Sequence, residues 1–524
     1  MTVERCPFLE WAASGGMALT GFPGGATSLA PAGAFALLGS VADQLALVTG
    51  AVGCEVRADP AELLTIRSGL GGLTRQGQVS IGGLARLVRA ADGWCAVTLS
   101  RGSDLASVPA ILGVLGADVA AFADLAGEIP DIDAGWAAIE AVARVTPASE
   151  LAGAAQLLGV AAAALARRPT PEAAPWPPWR TRRIAEAFTA VPSPAGLPPT
   201  GLPPTASLAD SSRADSLPFD LPTAVSPASS PAAAPPTGSP SGRLAGAVVA
   251  DLSTMWAGPL CARLLGLAGA RVIKVEAPDR LDGVRDGVPG FYDWLHAGHE
   301  SLVIDFRSPA GRSALAALLD VADVVIEASR PRALESLGLA PEMIPHQPGQ
   351  VWLSITGHGR DRPGLVAFGH DAAAAGGLVG WIGAPGAPGA PHSPGPMDTP
   401  GRMATPGTRG DAEALPVFCA DAVADPLTGI VGALAVARSI EAGGGELIDL
   451  PMSGVAACFA AGEIPDHGGH EVRSDGTVFC QALGISHPIL PPRVPEVTWG
   501  RAAEPGADNE SVLSWLSPVN HACH

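Results

Sequence analysis

From Val248 onward, short apolar runs alternate with small-residue, helix-forming stretches. Val248 and Val249 lead into Ala257-Gly258-Pro259 and a helix, and Gly269-Ala270 then opens a second apolar run, Val272-Ile273-Lys274-Val275. This is the pattern of a strand–helix–strand unit. The alternation continues, predicting a strand over Ser301–Asp305, a helix over Ala310–Leu319, and strands over Asp323–Glu327 and Val351–Thr356. Elements at this spacing predict a doubly wound α/β domain. Ligands of such sheets bind beyond the carboxyl ends of strands, which points to the Ala257-Gly258-Pro259 turn and the loop after Ile326.

Periodicity fails elsewhere. Residues 168–243 shift to Pro, Ser, Ala and Thr, too little apolar surface to order a chain, and read as a linker that divides the protein in two. A second low-complexity stretch, Ala384–Ala414, reads as a long loop. The tail, 463–524, is polar, Pro-rich and weakly periodic, and is expected to be irregular.

Composition narrows the function classes. The 524 residues carry a net charge of −19, and Lys274 is the sole lysine. A protein that tracks nucleic-acid phosphates needs a dense basic surface, so no nucleic-acid partner is expected. A phosphorylated ligand here must be held by arginines and backbone amides. The cysteines at 6, 54, 95, 261, 419, 458, 480 and 523 form no CxxC pair, which argues against a zinc ribbon or disulfide framework and for a reducing cytoplasm. His521, Cys523 and His524 lack partner ligands, so no metal site is expected. The start, MTVERCPFLEWAASGG, is unlike a secretory signal, and the Ala-rich stretches are broken before about 18 residues, so no membrane association is expected.

Seven segments in order, AGPLCARLLGLAGARVIKVE, SLVIDFRSPAGR, ADVVIEASRP, ESLGL, VWLSITGHGR, FGHDAAAAGGL and ADPLTGIVGALAVA, resemble the class III CoA-transferases, the CaiB/BaiF family that includes 2-methylacyl-CoA racemases. The resemblance implies a Rossmann-like large domain with a small α+β domain, and homodimers whose chains interlock. It also implies acyl-CoA and a small carboxylic acid as substrates, with no tightly bound cofactor.

An internal repeat organises the first half. Glu10–Gly21 repeats the pattern of Asp371–Gly383, and Gly33–Leu38 resembles Gly429–Leu434. Val88–Leu99 resembles the family's small-domain strand pair, turning at Asp92-Gly93. Residues 1–167 thus resemble the later part of a family protomer and 244–462 the earlier part, joined in a permuted or fused order. Ala/Gly-rich helices that merely look alike are the plainer account of the repeat.

CoA transfer needs a carboxylate that attacks the thioester, giving an aspartyl anhydride and then an aspartyl-CoA thioester. Asp425, before Pro426 and the apolar helix Leu427–Arg438, matches the family's nucleophile; the plainer role is a helix cap. Asp371 falls at the family's second acidic position, and His370 matches the GHD of the racemases, where a His and an Asp exchange the proton α to the carbonyl. By resemblance Met255, Trp256 and Ala257 form the adenosine-side turn, with Arg330 and Arg332 near the phosphates. Three usual contacts are replaced: His299-Glu300 stands for Lys-Arg, Ala328-Ser329 for Asn-Phe, and Ser336 for arginine. Gly82 and Gly83 lie near the family's thioester-covering loop. In the N-terminal copy, Leu29 occupies the nucleophile's position. The leading expectation is a transferase; the alternatives are a racemase using His370 and Asp425, or a non-catalytic structural partner.

Overall fold

The computed structural model describes residues 6–122, 131–188, 242–383, 414–462, 469–495 and 499–517. The 384–413 stretch, most of the linker, and His521, Cys523 and His524 lie outside them.

The first half holds a small α+β unit. Strands β1 (Ala85–Arg89) and β2 (Trp94–Thr98) form an antiparallel pair turning at Asp92-Gly93, and β3 (Ala162–Ala164) pairs with β2. Trp136, Ile139 and Leu151, from helices Ile132–Ala143 and Ala148–Leu157, bury against Val88, Cys95 and Val97.

Seven strands build the main sheet. They are β4 (Arg180–Arg183), β5 (Val248–Asp251), β6 (Arg271–Glu276), β7 (Glu300–Val303), β8 (Val324–Glu327), β9 (Val351–Thr356) and, after the separate hairpin β10 (Gly380–Ile382) and β11 (Leu415–Val417), β12 (Glu446–Pro451). The order is β4-β12-β9-β8-β5-β6-β7, with every pair parallel except β4-β12. Every residue of β5, β8 and β9 is buried because helices cover both faces, which is why these strands read as continuous apolar runs. Alternation sends Val249, Val324, Ile326 and Leu353 into one core and Val248, Ala250, Val325 and Trp352 into the other. The five predicted strands are in place as β5 to β9, and the two predicted helices as Ala257–Leu267 and Pro309–Val321.

Two predicted irregular regions are ordered. The first residues of the expected linker supply β4, whose four arginine-rich positions are all exposed, so no apolar signal marked it. The tail forms an antiparallel sheet of β13 (His470–Val472), β14 (Thr477–Cys480) and β15 (Ile485–Pro488), then helix Asn509–Trp515. These strands are three or four residues long, too short for periodicity to register. Asn509 accepts from the Val303 N–H at 2.8 Å and donates to its carbonyl at 2.9 Å, while Asp508 accepts from Ser301 N–H at 2.8 Å. Side chains thus occupy the β7 edge, which would otherwise offer unpaired backbone.

The halves share one core. Helix Ala32–Val52 packs along helix Ala424–Glu441, burying Leu38, Val41 and Leu45 completely. At 21 residues it is long and apolar enough by composition to cross a membrane, contrary to the expectation that no stretch reaches that length. Its Asp43 and Gly39 are tolerated on the face turned from the core.

Candidate active site

Two helices set the stage. Helix Ala257–Leu267 follows β5, and helix Ala424–Glu441 lies beside it in the same sense: an added Cβ at Gly429 would meet Leu260 at 2.8 Å, and one at Gly432 would meet Cys261 at 3.5 Å. Glycine at 429 permits this approach, and both helix starts therefore open toward the same end of the sheet.

Asp425 is the second residue of its helix. The helix is capped at Val423 without a side-chain bond, so the capping role is not the one Asp425 plays. Its carboxylate instead lies against the Gly369 backbone at the start of helix Gly369–Ala375, whose N–H favours the charged form. Gly369 has no room for a side chain, since a Cβ would lie 2.3 Å from Asp425 Oδ2. Asp425 keeps a partial opening to solvent, yet desolvation pushes its pKa up to about 7, with Asp371 and Asp421 adding and Arg67 opposing.

Asp371 lies wholly buried beneath it. Its carboxylate accepts from Thr98 Oγ1 at 3.0 Å and from the Phe368 N–H at 3.1 Å, and burial pushes its pKa up to about 7 against those donors. His370 packs its ring 5.0 Å from that of Phe418, and burial lowers its pKa to about 4, so at neutral pH the imidazole is uncharged.

Sequence reasoning missed the charge pair that completes this end. Arg67, on helix Pro60–Leu70 of the first half, donates from Nε and Nη2 to the two carboxylate oxygens of buried Asp421, both at 2.8 Å, and Ser68 Oγ adds a third bond at 2.8 Å. The same guanidinium lies 5.6 Å from the centre of the Trp256 ring. Ala420 and Ala422, which flank Asp421, adopt φ of 47° and 46°, a left-handed conformation costly for alanine. That strain sits three residues before Asp425. No local motif joins residues so far apart; the available signal was an acidic residue, Asp421, close in sequence before the candidate nucleophile.

The nucleotide-side residues are divided. Met255 is 40% exposed with φ of 75°, its N–H held by Asp282 at 3.2 Å, and Ala257 opens the helix. Trp256 is 3% exposed and meets Phe291 edge-on at 5.0 Å, so its indole supports the turn from below rather than facing solvent. Lys274 is equally buried, bonding Ser253 O and, at 3.1 Å, Asp282; the sole lysine braces the turn and reaches no ligand. Arg330 and Arg332 follow β8, Arg280 follows β6, and β5 lies between them. Arg330 donates weakly to Gly159 O at 3.4 Å, and its pKa is lowered by burial and then by Arg332, Arg101 and Arg280. Four arginines from both halves thus meet at the carboxyl ends of the strands, an arrangement suited to an anion. His299 is buried, Glu300 is paired with Arg271 at 2.6 Å, and Ser336 bonds its own helix. Gly82 is exposed beside the Arg67 guanidinium, and Gly83 has φ of 77°.

The chain is 33% identical over 150 residues to succinyl-CoA–D-citramalate CoA-transferase of Chloroflexus aurantiacus, covering 27% of this chain and 37% of that protein. It is 34% identical over 147 residues to alpha-methylacyl-CoA racemase of Homo sapiens, covering 27% of this chain and 36% of that protein. A CAIB/BAIF family protein from Brucella suis is similar at 25% identity over 41% of this chain and 54% of that chain, with a TM-score of 0.30. The chain spans about a third to a half of the length of the curated relatives it matches. Residues 244–491 match the model of CoA-transferase family III.

Proposed function

We propose that the protein transfers CoA from an acyl-CoA to a carboxylic acid, with Asp425 as nucleophile. Asp425 attacks the thioester carbonyl, the C–S bond breaks, and CoA leaves as thiolate, with the acyl group left on Asp425 as a mixed anhydride. The thiolate then attacks the aspartyl carbonyl, giving an aspartyl-CoA thioester and releasing the donor acid. An acceptor carboxylate takes the reverse course, and Asp425 is regenerated. The observation that carries this reading is the state of Asp425: desolvated, partly open, set against the Gly369 backbone, and relieved of any capping duty. Desolvation raises a carboxylate's nucleophilicity, and the Gly369 contact holds its direction.

In this reading the large domain is Rossmann-like: the parallel strands run 3-2-1-4-5-6 in chain order, with the switch point at β5. The first half supplies Arg67, Ser68, Thr98 and Arg101 to the site, which supports the permuted or fused order of a family protomer. The arginine cluster holds the phosphates of CoA, which acts as substrate. Homodimerisation and a cytoplasmic location belong to the same proposal.

Incubation with acyl-CoA and hydroxylamine, followed by mass spectrometry, tests it: a hydroxamate at Asp425 is expected, and an unmodified Asp425 despite turnover sinks the nucleophile. A racemase is the second reading, favoured by the uncharged His370 beside a protonatable Asp425. Deuterium uptake at the α carbon without acyl exchange would establish it. Absence of CoA binding would leave the non-catalytic partner.

A further inference from the structure

Away from the site, Cys6, His470 and Cys480 meet in the core, their Sγ, imidazole and Sγ donor atoms all within 4.8 Å of one another. Cys6 begins the helix Pro7–Ala13, while His470 and Cys480 are directly opposed on β13 and β14, so both project from the same face. Cys6 Sγ lies 3.0 Å from His470 Nε2, and the His470 ring stacks on Phe8 with centroids 3.9 Å apart. The three residues are 3%, 3% and 0% exposed.

We propose that these residues bind Zn(II) and staple the tail to the N-terminal helix. Two thiols and one imidazole form the soft donor set that zinc prefers, and their spacing suits three corners of a tetrahedron. The two thiols lose their protons on binding, no redox partner is needed, and the fourth position falls to water. A Cys6–Cys480 disulfide would use only two of the three converging groups, and a plain core would not need a polar trio at its centre. A small sheet with little core of its own also gains from a metal. Beyond the cluster, Leu490 N–H bonds Ala12 O at 2.9 Å, and Arg493 N–H bonds Thr65 Oγ1 at 3.2 Å on the helix that carries Arg67. The staple therefore anchors a strap that lies along the active-site helix.

The test uses the full chain, purified without chelator under reducing conditions and analysed for metal. One zinc per chain is expected, lost in Cys480→Ser and in His470→Ala but retained in the control variants Cys54→Ser and Cys523→Ser. Removal by chelator should lower the melting temperature of the unaltered chain, and zinc alone should restore it. Should the variants not fold, Co(II) titration of the reduced, unaltered chain decides, through a thiolate-to-cobalt charge-transfer band. No such band, zinc content unchanged in a folded Cys480→Ser variant, or a Cys6–Cys480 disulfide in the native protein overturns the proposal.

Discussion

The two ends of the site are built on opposite principles. At the carboxylate end, Asp371 and Asp421 accept hydrogen bonds from fixed donors, Asp425 is set against the Gly369 backbone, and the cation Arg67 is held by two bonds to Asp421. At the arginine end, no ion pair joins Arg280, Arg330 or Arg332 to a carboxylate among the described residues. Asp104, a carboxylate whose charge acts on Arg330, is already paired with Arg101 at 3.3 Å. One end is complete without a ligand and holds its groups in costly states; the other leaves its charges unbalanced. Chemistry performed by the protein requires the first arrangement, and recognition of an anion requires the second.

Replacing the proposed nucleophile tests the comparison most severely. Asp425→Asn should lower transfer by about a thousand-fold, equivalent to ~4 kcal/mol of barrier. Its stability should move the other way. The folded pKa of Asp425 is raised, so the protein is most stable below the unfolded value and loses that contribution as pH rises through about 7. The variant should therefore melt above the parent at pH 8, with the gap closing by pH 4. A variant less stable than the parent at pH 8 would show that the carboxylate end is an ordinary satisfied network. For the parent, transfer should rise with pH through about 7, as the carboxylate ionises.

Arg67→Met breaks the pair that joins the halves. Leaving Asp421 buried without its cation should cost about 3 kcal/mol, read by denaturant unfolding. Adding Asp421→Asn should restore part of that loss, because the orphaned charge is then gone. Full additivity would show that the two residues do not act as a pair.

How much of this was legible depends on what burial left in the sequence. Strands such as Val351–Thr356, covered on both faces, announce themselves as apolar runs, and Asp425, Asp371 and His370 could be matched to a pattern. Arg67 and Asp421 are 354 positions apart, and their pairing exists only in the folded chain. The same is true of Cys6 and His470, 464 positions apart. Arg180–Arg183 carries no apolar signal because it lies on an edge with every residue exposed. Trp256 shows the converse: the resemblance puts it at the adenosine-side turn, whereas burial gives its ring to the core.

At the arginine end the expected effects are smaller and confined to binding. Arg330→Ser should weaken CoA about ten-fold, the loss of a charge-assisted bond worth ~1.5 kcal/mol. Arg101→Ser should do the same if the first half contributes to the cluster, and kcat should hold in both. Titration calorimetry with CoA reads this directly, and an unchanged affinity in both variants would remove the arginines from recognition.

The smallest change probes how tightly the carboxylate end is coupled. Thr98→Val removes the hydroxyl that donates to Asp371 and leaves the Phe368 N–H as its other identified donor. That bond favours the ionised form, so its loss should raise the Asp371 pKa above about 7. The cost, about 1 kcal/mol, should be felt where Asp371 would be charged and should fade as pH falls. Asp371 also pushes the Asp425 pKa upward through repulsion, so an Asp371 kept neutral should let Asp425 ionise at lower pH. The pH–rate limb of transfer should then shift to the acid side. An unmoved limb with the stability loss intact would mean that Asp371 supports the helix but does not tune the nucleophile.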